Sequence, residues 1–234
     1  MDALVAAAIH DAKSTLSALG VWLSEAQREF AAQSAKPSQA LARATAMADT
    51  LSRQMVELLA LYRAGNGSLR LAVEDHHLRD FLADLMGELA ASRSVTLPEE
   101  EGGETRAAIA IHANIATTVT ADIWAFDAYL VKFALLDALR NALRHGKRQV
   151  RFSLLPEPDG SIRFSIEDDG DGYPDAILRG EETTEMRTSG SGLGLSFARL
   201  IAARHATTSG RHGRLELTND GFDTGGAHFS LILP

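Results

Sequence analysis

In "IEDDGDGYP", residues 166–174, the end of a β-strand leads directly into a glycine-containing turn. Ile166 and Asp168 alternate as the last residues of a strand do. Gly170 and Gly172 carry no Cβ, so the backbone of this turn is able to approach a flat ligand closely. Asp168 is then placed to accept a hydrogen bond from an exocyclic amine, such as that of adenine. On its own, the stretch fits a calcium loop or a plain turn equally well.

Further strands are predicted on both sides of this turn. "QVRFSLL" (149–155) and "SIRFSIED" (161–168) alternate polar and apolar residues around the turn "PEPDG" (156–160), which predicts a hairpin. "RLELTN" (214–219) and "AHFSLILP" (227–234) have the same character. Helices interspersed with hairpin-linked strands predict an α+β sandwich in which helices cover one face of a sheet.

A long helix is predicted from near Asp122 to Gly146, the residue placed to end it. Its segment "DALRNALRH", residues 137–145, has Asp137 and Asn141 four positions apart and therefore on one face. Carboxylate and carboxamide oxygens are ligands suited to Mg²⁺, or groups that orient a nucleophile. The pair by itself also fits an ordinary solvated helix face.

The glycines of "GSGLGLS", residues 190–196, precede a third helix that is predicted to begin near Leu193. Backbone N–H groups and a helix N-terminus then point outward together, which is the arrangement of a phosphate cradle. The segment does not follow a strand as a dinucleotide-binding fingerprint does, and it lacks the Gly-Lys-Ser/Thr of a P-loop.

Residues 2–64 differ from the rest, because their apolar residues recur at alternating intervals of four and three. This narrow spacing is typical of the seam of a coiled coil or helical bundle. Pro37 is expected to end one helix and Ser38 to cap the next, which predicts a helical hairpin. Two helices enclose little core, so a symmetric homodimer forming a four-helix bundle is predicted. The seam consists of Val5, Ile9, Ala12, Leu16, Leu19, Leu23, Ala26 and Phe30, then Leu41, Ala44, Ala48, Leu51, Met55, Leu58 and Tyr62.

The turn-forming residues of "AGNGS", 64–68, indicate a linker. We therefore expect one domain over residues 1–66 and a second over residues 67–234. Residues 69–73 alternate like a short strand at the start of the second domain.

Composition excludes several classes of protein. The net charge of −8 argues against a nucleic-acid binder, which normally has a basic face. No apolar run approaches the ~20 residues that span a bilayer, and the N-terminus lacks the features of a signal peptide. The absence of cysteine excludes disulfides and thiolate metal sites. A cytoplasmic protein without membrane insertion is predicted.

The three segments, in their order and spacing, resemble the N, G1 and G2 boxes of the GHKL ATPase superfamily, specifically of bacterial two-component sensor histidine kinases. The helical hairpin resembles the dimerisation and phosphoacceptor domain of that family, so the resemblance covers nearly the whole chain. It implies a dimeric four-helix bundle followed by an α/β sandwich of the GHKL (Bergerat) type, with ATP and Mg²⁺ as cofactors.

Position by position, the resemblance implies a role for each motif residue. Asn141 takes the place of the magnesium-binding asparagine, and Asp168 that of the adenine-binding aspartate. Asp137 stands where histidine kinases often have asparagine or glutamate, which implies a supporting role. Arg144 and His145 match the basic and aromatic positions that close the N box near the phosphates. The glycines of the base pocket, lid hinge and phosphate site, with the leucine among them, are Gly170, Gly172, Gly190, Gly192, Leu193 and Gly194.

"HDAKST", residues 10–15, resembles the H box of the same family. His10 falls just outside the seam, so its imidazole is expected to face solvent. The resemblance implies that His10 attacks the γ-phosphorus of ATP and that Asp11 takes its proton, with Ser14 in the place of a threonine or asparagine. Without a nucleotide domain, a plain solvated helical histidine would explain this position.

The function implied is a histidine kinase that autophosphorylates His10 and passes the phosphoryl group to an aspartate of a response-regulator receiver domain. Its signal is expected from an upstream sensor protein. The alternative is a histidine phosphotransferase that relays phosphate between receivers and whose GHKL-like domain is not catalytic. A GHKL serine kinase or ATPase of another branch would not need the helical hairpin.

Overall fold

The computed structural model of the 234-residue chain describes residues 19–23, 37–95, 110–115, 123–180, 193–222 and 225–234. Five of the predicted site residues lie outside the described residues, namely His10, Asp11, Ser14, Gly190 and Gly192.

The helical part of the chain includes residues 19–23 and a long helix α1, Pro37–Gly65. Pro37 begins this helix, because the fixed φ of proline and its missing N–H are tolerated in a first helical turn. The predicted seam runs along α1, where Ala44 is buried while Met55 and Tyr62 are 41% and 56% exposed. Part of the seam is therefore open to solvent in a single chain.

Within the described ranges, seven strands form two sheets. A small antiparallel sheet pairs β1, Glu74–His77, with β3, Ile123–Phe126. The strands of the main sheet are β2, Ala110–Ile115; β4, Gln149–Pro156; β5, Ile162–Asp168; β6, Arg214–Gly221; and β7, Gly226–Leu233. Their order is β2-β4-β5-β7-β6, in which β2 is parallel to β4 and all other neighbours are antiparallel. The remaining helices are α2, Leu78–Val95; α3, Ala128–His145; α4, Asp175–Leu178; and α5, Leu193–Arg204.

The two faces of the main sheet differ in chemistry, as the alternation of its strands predicts. On one face α3 packs across β4 and β5, and Phe152, Phe164 and Phe229 are almost fully buried there. Phe164 lies edge-on to Phe126, with ring centroids 6.1 Å apart. The other face carries polar side chains, such as the Arg151–Glu167 ion pair at 3.1 Å. The predicted helix-covered sheet is confirmed, with the addition of a parallel strand.

Two predicted boundaries are wrong near Asp127. The helix does not start near Asp122, because residues 123–126 pair as β3 and Asp127 caps α3 by accepting from the Leu130 N–H at 2.9 Å. Residues 69–73 are not a strand, since the Ala72 N–H donates to Asp127 Oδ2 at 2.9 Å and strand pairing begins only at Glu74. A single carboxylate thus fixes both segments.

Among the described residues, one compact unit contains α1 and the part of α2 from Met86 onward. The other contains Arg70–Leu85 and the elements from β2 to the C-terminus, apart from Leu193. The predicted domain boundary near residue 66 stays a prediction. None of the helices in the described ranges has the length and apolar character required to cross a bilayer.

Candidate functional site

Asp168 ends β5 on the helix-covered side of the sheet and is only 4% exposed. Its Oδ1 accepts hydrogen bonds from the Gly170 N–H at 2.8 Å and the Ala227 N–H at 3.3 Å. Burial raises the pKa of Asp168 above its ordinary value, against the opposing effect of these two donors and of nearby His145. The structure therefore holds one oxygen of this carboxyl group firmly within the fold.

Two glycines allow the end of α3 to meet the turn after β5. A Cβ on Gly170 would lie 2.6 Å from the His145 carbonyl oxygen, and one on Gly146 would lie 2.7 Å from the Ala142 carbonyl oxygen. Both distances are too short for a real side chain, so these positions require glycine. The last turn of α3, where Arg144 and His145 are exposed, is thereby brought against the Asp168 turn.

Gly172 has φ +79°, a conformation that favours glycine. A Cβ there would also lie 2.7 Å from the Asn219 side chain. Sterics therefore require glycine at both predicted positions of the turn. At Gly170 the cause is the close approach of the backbone, and at Gly172 it is the positive φ together with the nearby Asn219 side chain.

Asp137 and Asn141 lie on one face of α3 as predicted, and both are half-buried. Asn141 Nδ2 donates to Asp137 Oδ2 at 3.3 Å. A Cβ on Gly194, in the first turn of α5, would overlap the same Asp137 oxygen. Asp137 therefore bonds to Asn141 and also lies against Gly194 at the start of α5. Leu193 is the first residue of α5 and is buried.

Asp169 was not among the predicted residues, yet it fixes the loop between α3 and β4. Its Oδ1 accepts from the backbone N–H groups of Lys147, Arg148 and Gln149 at 2.8, 2.9 and 3.2 Å. Burial raises the pKa of Asp169, but these three donors outweigh burial and the pKa is lowered overall. Alternation along β5 singles out Asp168, whereas Asp169 follows the strand, and the sequence gives no sign of its three backbone partners.

His205 is a second buried group that the sequence did not single out, and it anchors the start of α3. Its Nε2 accepts from the Asp127 N–H at 2.9 Å, and its Nδ1 pairs with the Ile201 carbonyl oxygen at 2.7 Å. Burial lowers the pKa of His205, so the neutral ring that accepts from Asp127 is the favoured form.

Comparison with solved structures identifies histidine kinases of the same fold. The histidine kinase AdeS of Acinetobacter baumannii is 16% identical, with a TM-score of 0.62, and each chain covers 96% of the other. Full-length ShkA in complex with AMPPNP is 23% identical with a TM-score of 0.59, over 84% of this chain and 38% of that one. The mycobacterial sensor histidine kinase MprB is 19% identical with a TM-score of 0.51, over 70% of this chain and 97% of that one. At these identities the likeness shows the fold.

No curated protein matches the chain. Residues 127–234 match the sequence family described as "Histidine kinase-, DNA gyrase B-, and HSP90-like ATPase". This match covers α3, the Asp168 turn, α5 and the last strands, which are the elements that bring the predicted motifs together. The predicted resemblance is confirmed as a likeness: residues 127–234 match this ATPase family in sequence, and the chain shares its fold with solved histidine kinases.

Proposed function

We propose that this chain is an ATP-dependent protein-histidine kinase that phosphorylates itself on His10 and transfers the phosphoryl group to a response-regulator aspartate. The observation that carries the proposal is the convergence of Asp168, the end of α3 and the Asp137–Asn141 pair within the ATPase domain.

Adenine recognition is assigned to Asp168. Both backbone hydrogen bonds to this carboxyl group use Oδ1, and within the described chain no donor reaches Oδ2. An exocyclic amine is a donor of the kind that Oδ2 needs. Gly170 and Gly172 keep the adjoining backbone free of side chains, so that a flat base fits beside it.

The Mg²⁺ ligand is assigned to Asn141. Its Nδ2 donates to Asp137, which directs the carbonyl oxygen of Asn141 to serve as the ligand atom. Mg²⁺ binds carboxamide and carboxylate oxygens and usually takes only one or two protein ligands beside phosphates and water, so this pair fits the ion. When bound, the ion neutralises charge on the phosphates.

The triphosphate is assigned to the N-terminus of α5 and to the end of α3. Backbone N–H groups at a helix N-terminus attract phosphate, and α5 begins at Leu193 and Gly194. The resemblance implies the same role for Gly190 and Gly192 of the preceding segment. Arg144 and His145 extend the basic side of this site.

Phosphoryl transfer is assigned to His10. A nitrogen of its neutral imidazole forms a bond to the γ-phosphorus, ADP leaves, and Asp11 accepts the imidazole proton. Ser14 takes the place of the threonine or asparagine of the H box. The resulting phosphohistidine then donates its phosphoryl group to a receiver aspartate.

We also propose that residues 1–66 dimerise. Met55, Leu59 and Tyr62 follow one another at helical spacing on α1 and are 41–56% exposed in the single chain. A second copy of the hairpin would cover this stripe in a four-helix bundle.

The proposal is tested by Mg-ATP affinity, measured by isothermal titration. Asp168→Asn either places an NH₂ group, which is a donor, at the position of the acceptor Oδ2, or leaves an uncharged and weaker acceptor there. The dissociation constant should therefore rise roughly 10–100-fold, as expected for a lost hydrogen bond to a charged group. Asp171→Asn is the matched control, because that carboxylate is 91% exposed and pairs only with Lys147 among the described residues. Equal affinities for wild type and Asp168→Asn would refute the assigned adenine contact.

A further inference from the structure

Asn219 on β6 forms two hydrogen bonds with the backbone of a single residue in the turn after β5. Its Oδ1 accepts from the Tyr173 N–H at 2.7 Å, and its Nδ2 donates to the Tyr173 carbonyl oxygen at 2.9 Å. The carboxamide therefore pairs with Tyr173 as a neighbouring strand would, although the two residues are 46 positions apart in sequence.

A β-bulge lies at this position. Thr218 pairs with His228 and Gly221 with Gly226, so two residues of β6 oppose Ala227 alone. Bulges bend a strand and change the direction of a side chain, and they are frequent next to functional sites. Leu215 and Leu217 precede Asn219 on the same side of β6, so alternation along the strand predicts an apolar residue at position 219. A carboxamide is found there instead, where the turn after β5 comes close.

The contact also constrains Gly172, the residue before Tyr173. A Cβ on Gly172 would lie 2.7 Å from Asn219 and from the Gly225 carbonyl oxygen. The φ of +79° at Gly172 reverses the chain between Asp168 and Tyr173. Asn219 thus contacts the turn at Gly172 and fixes the peptide groups on both sides of Tyr173.

Tyr173 follows Gly172 in the turn after Asp168. Its side chain is half-buried. Burial, together with the negative charge of Asp168, raises the pKa of Tyr173 far above its ordinary value. The phenol is therefore neutral at physiological pH.

We propose that Asn219 is a positioning residue for base recognition: its two bonds to the Tyr173 backbone hold the turn from Asp168 to Tyr173 in the conformation that receives the base. The inference rests on the proposed nucleotide binding and extends it to β6, outside the three sequence motifs. The ligand that it helps to select is a purine with an exocyclic amine that faces Asp168.

The test compares two ligands on the full chain, ATP and purine riboside 5′-triphosphate, which lacks the exocyclic amine. Asn219→Leu keeps a similar volume and removes both bonds, so the dissociation constant for ATP should rise about tenfold. The preference for ATP over the second ligand should fall by a similar factor, because Asp168 and Tyr173 no longer share a fixed geometry. Thr218→Val, on the opposite face of the same strand, is the matched control and should leave both constants within about twofold.

Asn219→Asp provides a second variant if Asn219→Leu fails to fold. It keeps the acceptor for the Tyr173 N–H and loses the donor, so its preference for ATP should lie between those of wild type and Asn219→Leu. The positioning role alone would be overturned if either variant folds and keeps the wild-type preference for ATP over purine riboside 5′-triphosphate. A variant that binds both ligands more weakly by the same factor counts as such a result. A wild-type protein that binds neither ligand would instead refute the proposed nucleotide binding, and the role of Asn219 with it.

Discussion

Replacing Asp169 by asparagine should loosen the loop between α3 and β4. In the wild type, Asp169 Oδ1 accepts three backbone hydrogen bonds, from Lys147, Arg148 and Gln149. Asparagine has nearly the same shape but no charge. Its amide nitrogen would occupy the place of Oδ2, which is buried and, within the described chain, has no hydrogen-bond partner.

The magnitude follows from the bonds. Hydrogen bonds to a charged group contribute about 1.5–3 kcal/mol and neutral ones about 0.5–1.5 kcal/mol, so three weakened bonds correspond to about 3 kcal/mol. Burial disfavours the ionised carboxylate, and removing the charge recovers part of that cost. We therefore expect Asp169→Asn to lower the free energy of unfolding by about 1–3 kcal/mol at pH 7.

Urea unfolding at several pH values measures this loss. The lowered pKa of Asp169 means that its stabilisation is present above the unfolded-state pKa and disappears as the pH falls through the lower, folded-state pKa. The difference between wild type and Asp169→Asn should therefore vanish in strong acid. Asp171→Asn is the control and should leave the unfolding midpoint unchanged, since that carboxylate is exposed. Equal midpoints for Asp169→Asn and wild type at pH 7 would refute the assigned role.

Three further outcomes are expected. Gly194→Ala places a Cβ over Asp137 Oδ2, so it should raise the dissociation constant for Mg-ATP about tenfold in a titration while the melting temperature changes little. Wild-type stability should fall as the pH drops below about 6.5, because the unfolded chain then binds a proton that buried His205 does not; this slope should diminish in urea titrations of His205→Gln. Glutamate at both Leu19 and Leu51 should convert the proposed dimer to a monomer in light scattering, since unpaired charge is costly to bury.

The strands around the Asp168 turn were predictable because the main sheet is apolar on one face and polar on the other. That alternation is local, so β4 and β5 can be read directly from residues 149–168. The short strands β1, β2 and β3 are different, since their pairing depends on distant segments and β2 lies parallel to β4. The helix predicted from near Asp122 therefore includes residues 123–126, which pair as β3 in the structure.

The same distinction applies to the site. Asp168, Gly170 and Gly172 were identified because their types and spacing form a recognisable motif, and the structure gives each glycine a steric reason. Asp169 and Asn219 were missed, since each acts through backbone groups about 20 to 46 positions away in sequence. Such partners become visible only when the chain is folded.

Incubation of the full chain with γ-labelled Mg-ATP tests the proposed kinase most directly. We expect label on His10 as a phosphoramidate, labile in acid and stable in base. His10→Ala should remove the label and keep the affinity for ATP, whereas His112→Ala, a change at an exposed histidine of β2, should label as the wild type does. Label that persists in His10→Ala would contradict the assignment of the acceptor. A wild-type protein that binds ATP and never labels itself would contradict the kinase and favour a relay in which His10 receives its phosphate from a phosphorylated partner.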